Sequence, residues 1–326
     1  MLKVVADQNI PLLDYFFSDV AQVVTLPASQ FSPEEIDGAD VVLVRSTVKV
    51  DAQLFAQHRP RWVGSCVSGQ DHLDLAWLDQ QAIPFYCATG CNAPAVSAYV
   101  AQAATHLRAA GKLADAAKIA VIGVGHVGRL VAAQFESLGY QVQHCDPLRA
   151  AVDPTFPHVD LADLFDCDML CLHTPLTQSG AYPTQHMIDA DYVAQLKSGA
   201  IILNAGRGAV LTPDALMRED LVYCLDVWPI EPAVESDWLQ HCFLATPHIA
   251  GHTWLGKFQG TAWVYQALAG EFGWPIKTLP TAFQANEHQD LLALTADFKQ
   301  GVLAAGISSG EFFQISRRQY NALEDF

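Results

Sequence analysis

Short apolar runs recur along the chain, and between them lie segments whose apolar positions fall at helical spacing. Residues 2–7 (LKVVAD) read as a strand ending on Asp7, 10–17 as a helix and 22–25 as a second strand. Residues 40–46 (DVVLVRS) and 61–69 (RWVGSCVSG) are nearly continuous in apolar side chains, the pattern of parallel strands covered on both faces. Helical segments are expected over 52–57 and 72–81, then a last strand over 83–88 and a long apolar helix over 90–110. The rhythm resumes with strands at 119–122, 141–145, 169–173, 200–204 and 221–226, and a final short strand opening 242–253. Helices are expected over 129–138, in the stretch from 161 before the strand at 169, from 192 to the strand at 200, over 213–219, and over 254–272. Strands separated by helices at this spacing predict an α/β protein with two doubly wound parallel sheets. The first sheet belongs to a domain at 1–92 and the second to one at 93–252, and a short C-terminal appendage follows at 279–326.

The stretch 118–146 carries more than a fold. A strand breaks at Gly123 and continues through Gly125 and Gly128 in the order G-x-G-x-x-G, with His126 and Val127 between the last two glycines. Gly123 permits the tight turn, Gly125 close approach to a pyrophosphate, and Gly128 close packing of helix on strand. The helix N-terminus then offers free N–H groups to an anion. Asp146 ends the next strand, where a carboxylate accepts hydrogen bonds from ribose hydroxyls. Its charge opposes a 2′-phosphate, Pro147 and Leu148 offer no cation, and Arg149 is the only one nearby. The expected cofactor is therefore NAD.

Composition narrows the partners. A net charge of −17 disfavours nucleic acid and anionic membrane, and no apolar run approaches the ~20 residues that cross a bilayer. Met1 leads straight into a strand, so a cytoplasmic location is expected. The eight cysteines sit mostly in apolar strands and read as reduced, buried thiols rather than a disulfide or zinc framework.

Three ionisable residues stand out at strand ends. Arg207 lies in the glycine-flanked turn AGRGA, Glu231 in DVWPIEP and His248 in TPHIAG. A guanidinium, a carboxylate and an imidazole suit oxidation of a 2-hydroxy acid. Arginine grips a carboxylate in fork geometry, histidine takes the hydroxyl proton, and glutamate fixes the imidazole tautomer. His248 and His252 have the spacing of a metal pair, but Pro247 and Gly251 disfavour a helix presenting both, and no metal is expected. His173 reads as a satisfied strand-end histidine.

Taken together, GVGHVGR, HTPL, NAGRGAV, DVWPIEP and TPHIAGHT resemble the D-isomer-specific 2-hydroxyacid dehydrogenase family. VADQNIP, VRSTVKV and ATGCNAPAV resemble one branch of it, which uses NAD to oxidise 4-phospho-D-erythronate to 2-oxo-3-hydroxy-4-phosphobutanoate in pyridoxal 5′-phosphate biosynthesis. SGEFFQISRRQY resembles part of that branch's C-terminal dimerisation domain, here shortened, so a homodimer is expected. The resemblance implies a flavodoxin-like substrate-binding domain at 1–92, completed by 253–278, a Rossmann NAD-binding domain at 93–252, and catalytic roles for Arg207, Glu231 and His248. It implies NAD contacts from Asp146, Thr174 with Pro175, Ala205, Gly206, Arg207, Asp226 and Gly251. Substrate would be met by Ser46, by Val67 with Ser68 and Gly69, and by His252, with Arg45 and Lys49 placed to meet a phosphate. The branch usually has Thr at position 67 and Tyr at 252, so this chain lacks one hydroxyl and replaces another by an imidazole. Two other functions are compatible with the residues: a generalist D-2-hydroxyacid dehydrogenase acting on glycerate-like or hydroxypyruvate-like acids, and a regulator that binds NADH without turnover.

Overall fold

The structure is a computed structural model that describes residues 1–281, 291–303 and 308–321, so parts of the segment anticipated at 279–326 lie outside the described residues. Contacts group the chain into two units, Met1–Asn92 with Thr253–Asn286, and Ala93–His252 with Glu287–Phe326.

In the first unit β1 (Leu2–Asp7), β2 (Ala21–Leu26), β3 (Val41–Val44), β4 (Trp62–Ser65) and β5 (Phe85–Cys87) make one parallel sheet. Their order is β2-β1-β3-β4-β5, the flavodoxin-like order. Every residue of β3 and β4 is buried, as continuous apolar runs require when both faces are covered. The helices α1 (Leu13–Phe17) and α2 (Leu75–Gln80) follow β1 and β4.

The second unit opens with α3 (Ala93–Ala109), then β6 (Lys118–Ile122), α4 (Gly128–Ser137), β7 (Gln141–Cys145) and α5 (Pro147–Val152). It continues through β8 (Met169–Leu172), α6 (Ala190–Ala194), β9 (Ile201–Asn204), β10 (Val222–Leu225), α7 (Ser236–His241) and β11 (Cys242–Ala245). The six strands are parallel in the order β11-β10-β9-β8-β6-β7. The chain therefore reverses its direction of travel across the sheet between β6 and β8, the switch point where such sheets hold ligands.

The long helix α8 (Trp254–Phe272) returns to the first unit. Thr253 caps it by accepting from Gly256 N–H at 3.2 Å, and Gly273 closes it in the left-handed region. Tyr265 of α8 packs on Phe16 and Phe17 of α1, with ring centroids 5.1 and 5.3 Å apart. Two further helices, α9 (Leu291–Leu303) and α10 (Ser309–Asn321), belong to the second unit, where Phe298 and Phe313 are buried.

Several expected helices take other forms. Residues 52–57 are turns, because Asp51 turns the chain by accepting from the N–H groups of Gln53 and Leu54. The helices expected after 161 and over 213–219 shrink to single 3-10 turns at Leu161–Asp163 and Asp214–Met217. At the second, the Tyr223 hydroxyl donates to Ala215 O and Arg218 reaches the carbonyls of Val193 and Leu196, which commits the backbone elsewhere. Conversely α5 was not anticipated, although Asp146 followed by Pro147 is a local start signal: the Asp146 side chain accepts from Arg149 N–H. All eight cysteines are free and buried, and desolvation pushes the thiols of Cys66, Cys145, Cys171 and Cys224 far above their ordinary range. No described helix is long and apolar enough to cross a membrane.

Gly260 is where α8 meets the end of β4: an added Cβ would lie 2.2 Å from Cys66 O. Gly260→Ala should therefore destabilise the protein by about 1–3 kcal/mol, as overpacking does. An unchanged urea midpoint would show that α8 does not press on this strand end.

Candidate active site

The carboxyl ends of β6 and β8 form the first part of the site. Gly123 has φ +85°, and a Cβ there would strike the backbone N of Thr174 at 2.8 Å. Gly128 lies against Gly123 O, which a Cβ would approach to 2.0 Å, so α4 starts directly beneath the loop. Gly125 faces open space, with nothing within 4 Å of where a Cβ would stand, and leaves the loop face clear. The N-terminus of α4 has no side-chain cap, and the N–H groups of Arg129 and Leu130 donate to Gly125 O and Val127 O of the loop itself. Asp146 ends β7 and braces the loop, accepting from Val124 N–H at 2.9 Å. Arg149 is drawn onto Phe156, its guanidinium carbon 4.3 Å from the ring centroid, and donates to Val124 O.

Beside these glycines the Thr174 hydroxyl is buried without a hydrogen-bond partner among the described residues. So are both ring nitrogens of His173, and desolvation pulls that imidazole down to about 4. The expectation of a satisfied His173 is thus corrected, since the strand end offers it no acceptor. A hydroxyl and an imidazole short of partners, a glycine face open to a ligand and a helix N-terminus without a side-chain cap fit a polar, anionic cofactor such as NAD. Pro175 follows on the exposed side of the same turn.

The turn after β9 is set by its own polar groups. Asn204 is fully buried, donates to Arg207 O at 3.0 Å and accepts from Gly206 N–H at 3.1 Å. Arg207 Nη1 donates to Gly206 O at 3.0 Å. Gly208 has no alternative, because a Cβ would fall 1.7 Å from Trp228 O. Ala205, Gly206 and Arg207 are therefore held beside Thr174, where a Cβ on Gly206 would come 3.3 Å from Thr174 O.

Asp226, at the end of β10, controls the next two loops. It is 1 % exposed, and its carboxylate accepts from the Thr246 hydroxyl at 2.7 Å and the N–H groups of Ile249 (2.7 Å) and Ala250 (2.9 Å). Its own carbonyl accepts from His248 N–H at 2.7 Å. Burial raises its pKa, against the opposing pull of His248, Thr246 and the loop N–H groups. Thr246 is in turn bonded to the buried Tyr99 hydroxyl, and its carbonyl to the Trp228 indole N–H. These bonds hold His248 at φ +57°, a backbone conformation a side-chain-bearing residue adopts only when its surroundings dictate it.

Held this way, His248 Nδ1 lies 2.8 Å from Glu231 Oε2, while Glu231 Oε1 accepts from Trp228 N–H at 2.9 Å. Burial opposes ionisation of Glu231, but the bond and pull of His248, the Trp228 N–H and the charge of Arg317 outweigh it, so the carboxyl lies below its ordinary value. With Nδ1–H donating to Glu231, Nε2 of His248 carries the lone pair. Gly251 and His252 follow in the same loop, His252 N–H donating to Ile249 O and its ring 6.4 Å from that of His248. Among the described residues no group of three His, Cys, Asp or Glu side chains is placed to hold a metal.

The remaining expected residues lie in the first unit. Arg45 and Ser46 follow β3, and Val67, Ser68 and Gly69 follow β4; these strands are paired neighbours, so both loops leave the same end of the sheet. Ser68 accepts from Gly90 N–H at 2.9 Å, and Val67 O accepts from the Cys87 thiol. Lys49 is exposed and pairs with Asp51 at 2.8 Å.

Comparison with known proteins decides the family. The chain is 40 % identical over 285 residues to an erythronate-4-phosphate dehydrogenase of Marinobacter nauticus, an alignment covering 85 % of this chain and 74 % of the relative. The chain belongs to the D-isomer-specific 2-hydroxyacid dehydrogenase family. The NAD binding domain of that family matches residues 92–250. Erythronate-4-phosphate dehydrogenases of Cellvibrio japonicus (40 % identity; 83 % of this chain, 72 % of the relative) and Pseudomonas putida (41 %; 83 % and 73 %) are equally similar. An NAD⁺-bound 3-phosphoglycerate dehydrogenase from Entamoeba histolytica shares the fold at TM-score 0.70 and 23 % identity, over 88 % of this chain and 99 % of that one. The narrower resemblance read from the sequence is borne out by these relatives, and the chain is an NAD-dependent oxidoreductase.

Sequence reasoning missed the anchoring work of Asp226, which it assigned only to cofactor, and the approach of Arg317 to Glu231 and His252. Nothing local announces either. Because the folded pKa of Glu231 lies below its ordinary 4.5, the pair stabilises the protein above that pH and the contribution is lost as pH falls through the folded value. The stability difference between wild type and Glu231→Gln should thus be largest near neutrality and shrink on acidification. Thermal melts from about pH 3 to 7 test this, and a pH-independent difference would contradict it.

Proposed function

We propose that this chain oxidises the 2-hydroxyl of 4-phospho-D-erythronate to give 2-oxo-3-hydroxy-4-phosphobutanoate, the step the resemblance places in pyridoxal 5′-phosphate biosynthesis. The identity of about 40 % to proteins named erythronate-4-phosphate dehydrogenase supports the substrate. The observation that carries the chemistry is the Glu231–His248 pair, 2.8 Å apart on loops at the strand ends of an NAD-binding unit.

NAD, when bound, would supply the acceptor for the hydride that leaves C2. Within the chain, His248 Nε2 takes the proton of the 2-hydroxyl as the C2 hydrogen leaves with its bonding pair, so the alcohol becomes a ketone. Glu231 holds the ring in the tautomer that can accept, and its negative charge stabilises the imidazolium that forms. Arg207 binds the substrate carboxylate and polarises the carbon–oxygen bond. Gly123, Gly125, His126, Val127 and Gly128 would hold the pyrophosphate of NAD, and Asp146 its ribose. Thr174, Pro175, Ala205, Gly206, Asp226 and Gly251 would complete the cofactor face. Ser46, Val67, Ser68, Gly69 and His252 meet the substrate. A cytoplasmic homodimer is part of the same proposal, supported by the resemblance of residues 309–320 to a dimerisation segment.

Val67 and His252, standing where the branch usually has Thr and Tyr, favour one second reading, a dehydrogenase of broader hydroxy-acid range. Steady-state assays with NAD separate the two: turnover of glycerate or lactate with none on 4-phosphoerythronate would sink the first. His248→Asn should lower turnover by about 10²–10⁴-fold while NADH binding, followed by its fluorescence, persists. Unchanged turnover would remove His248 from the proton transfer.

A further inference from the structure

One face of α10 carries Phe313, Arg317 and Tyr320, which follow the i, i+4, i+7 spacing of a helical stripe. Phe313 is 1 % exposed and packs on Phe298, whose ring lies 6.1 Å from that of Trp228 beneath the Glu231 loop. At the start of the helix, a Cβ on Gly310 would come 3.4 Å from Pro232 Cγ, so α10 begins against the residue next to Glu231. One turn beyond Phe313, Arg317 Nη2 lies 2.5 Å from His252 Nε2. Its charge helps to hold Glu231 ionised. The Tyr320 hydroxyl is raised above its ordinary pKa by burial and then by the charge of Asp226.

A guanidinium has only donors, so Nε2 of His252 accepts, and the ring is neutral with its proton on Nδ1. His252 thus stands next to a permanent cation. The rings of His248 and His252 are 6.4 Å apart, a span comparable with that from the reacting carbon of a four-carbon acid to a phosphoester at its far end. In a chain of net charge −17 a dianionic group needs a local cation. Arg45 and Lys49 belong to the first unit, Lys49 pairing with Asp51; in the second unit Arg207 is assigned above to the carboxylate, and Arg317 lies beside His252. We infer that Arg317, beside His252, binds the substrate's terminal phosphate and makes α10 a specificity element of the site. The inference deepens the function proposed above and rests on it.

The test compares wild type, Arg317→Met and Arg317→Lys on 4-phosphoerythronate and on unphosphorylated erythronate. Arg317→Met should lose about tenfold to a hundredfold in kcat/KM on the phosphorylated acid, mainly through KM, the size expected for a charge-assisted hydrogen bond. Erythronate kcat/KM should fall markedly less, since no phosphate contact is lost there and only the effect of Arg317 on Glu231 and His252 remains. Arg317→Lys, which keeps the charge, should recover part of the loss. Inorganic phosphate should raise the melting temperature of wild type but not of Arg317→Met, a readout that needs no turnover. Equal losses on both acids, a gain of activity, or a phosphate shift that survives in Arg317→Met would overturn the inference. A wild type inactive on 4-phosphoerythronate whose phosphate shift still depends on Arg317 would sink the proposed function and leave the phosphate site standing.

Discussion

The Asp226 carboxylate is buried among three donors, the Thr246 hydroxyl and the N–H groups of Ile249 and Ala250. A carboxylate out of water is tolerable only when its lone pairs are met, and here the loop it organises meets them. The constraint runs both ways. Without Asp226 the N–H groups of 249 and 250 would be orphaned in the interior, and without the loop the carboxylate would be. His248 is the residue between these contacts, and its left-handed backbone follows from them. The distance to Glu231 is therefore set from below, by a residue that need not touch the reacting atoms.

The glycine turn after β9 obeys the same logic by exclusion. Gly208 admits no side chain against Trp228 O, and Asn204 closes the turn with two hydrogen bonds. Trp228 thus serves both loops: its carbonyl limits one, and its N–H fixes Glu231 Oε1 in the other. The guanidinium, carboxylate and imidazole stand on rigid supports that share atoms, so a shift in one loop is felt in the others.

The sequence was most readable where its meaning was local. Strands such as Val41–Val44 and Ile201–Asn204 announce themselves because burial on both faces leaves few polar positions. The glycines at 123, 125 and 128 are legible because turn, approach and packing each require the missing Cβ. Arg207, Glu231 and His248 could be singled out by their punctuated loops, but not the 2.8 Å that joins two of them. Residues 52–57 misled because Asp51 competes for N–H groups that a helix would have used. Asp146–Pro147 begins a helix whose start signal is easily missed when the same residues are weighed for charge alone. Arg317 was beyond sequence reasoning, since its neighbour His252 is met through a packing path of Phe313, Phe298 and Trp228 that no spacing records.

The first unit is discontinuous, and this has a consequence for how the chain is made. Its sheet is complete once residue 92 has been synthesised, yet Ala262, Val264, Tyr265 and Leu268, which cover one face, come only with α8. At about 5–20 residues per second on the ribosome, that face waits on the order of ten seconds while residues 93–252 of the second unit are translated. The unit begun first is covered late, and Phe16, Phe17 and Trp62 stay without α8 in the interval. That interval is when a nascent chain of this protein has most need of a chaperone.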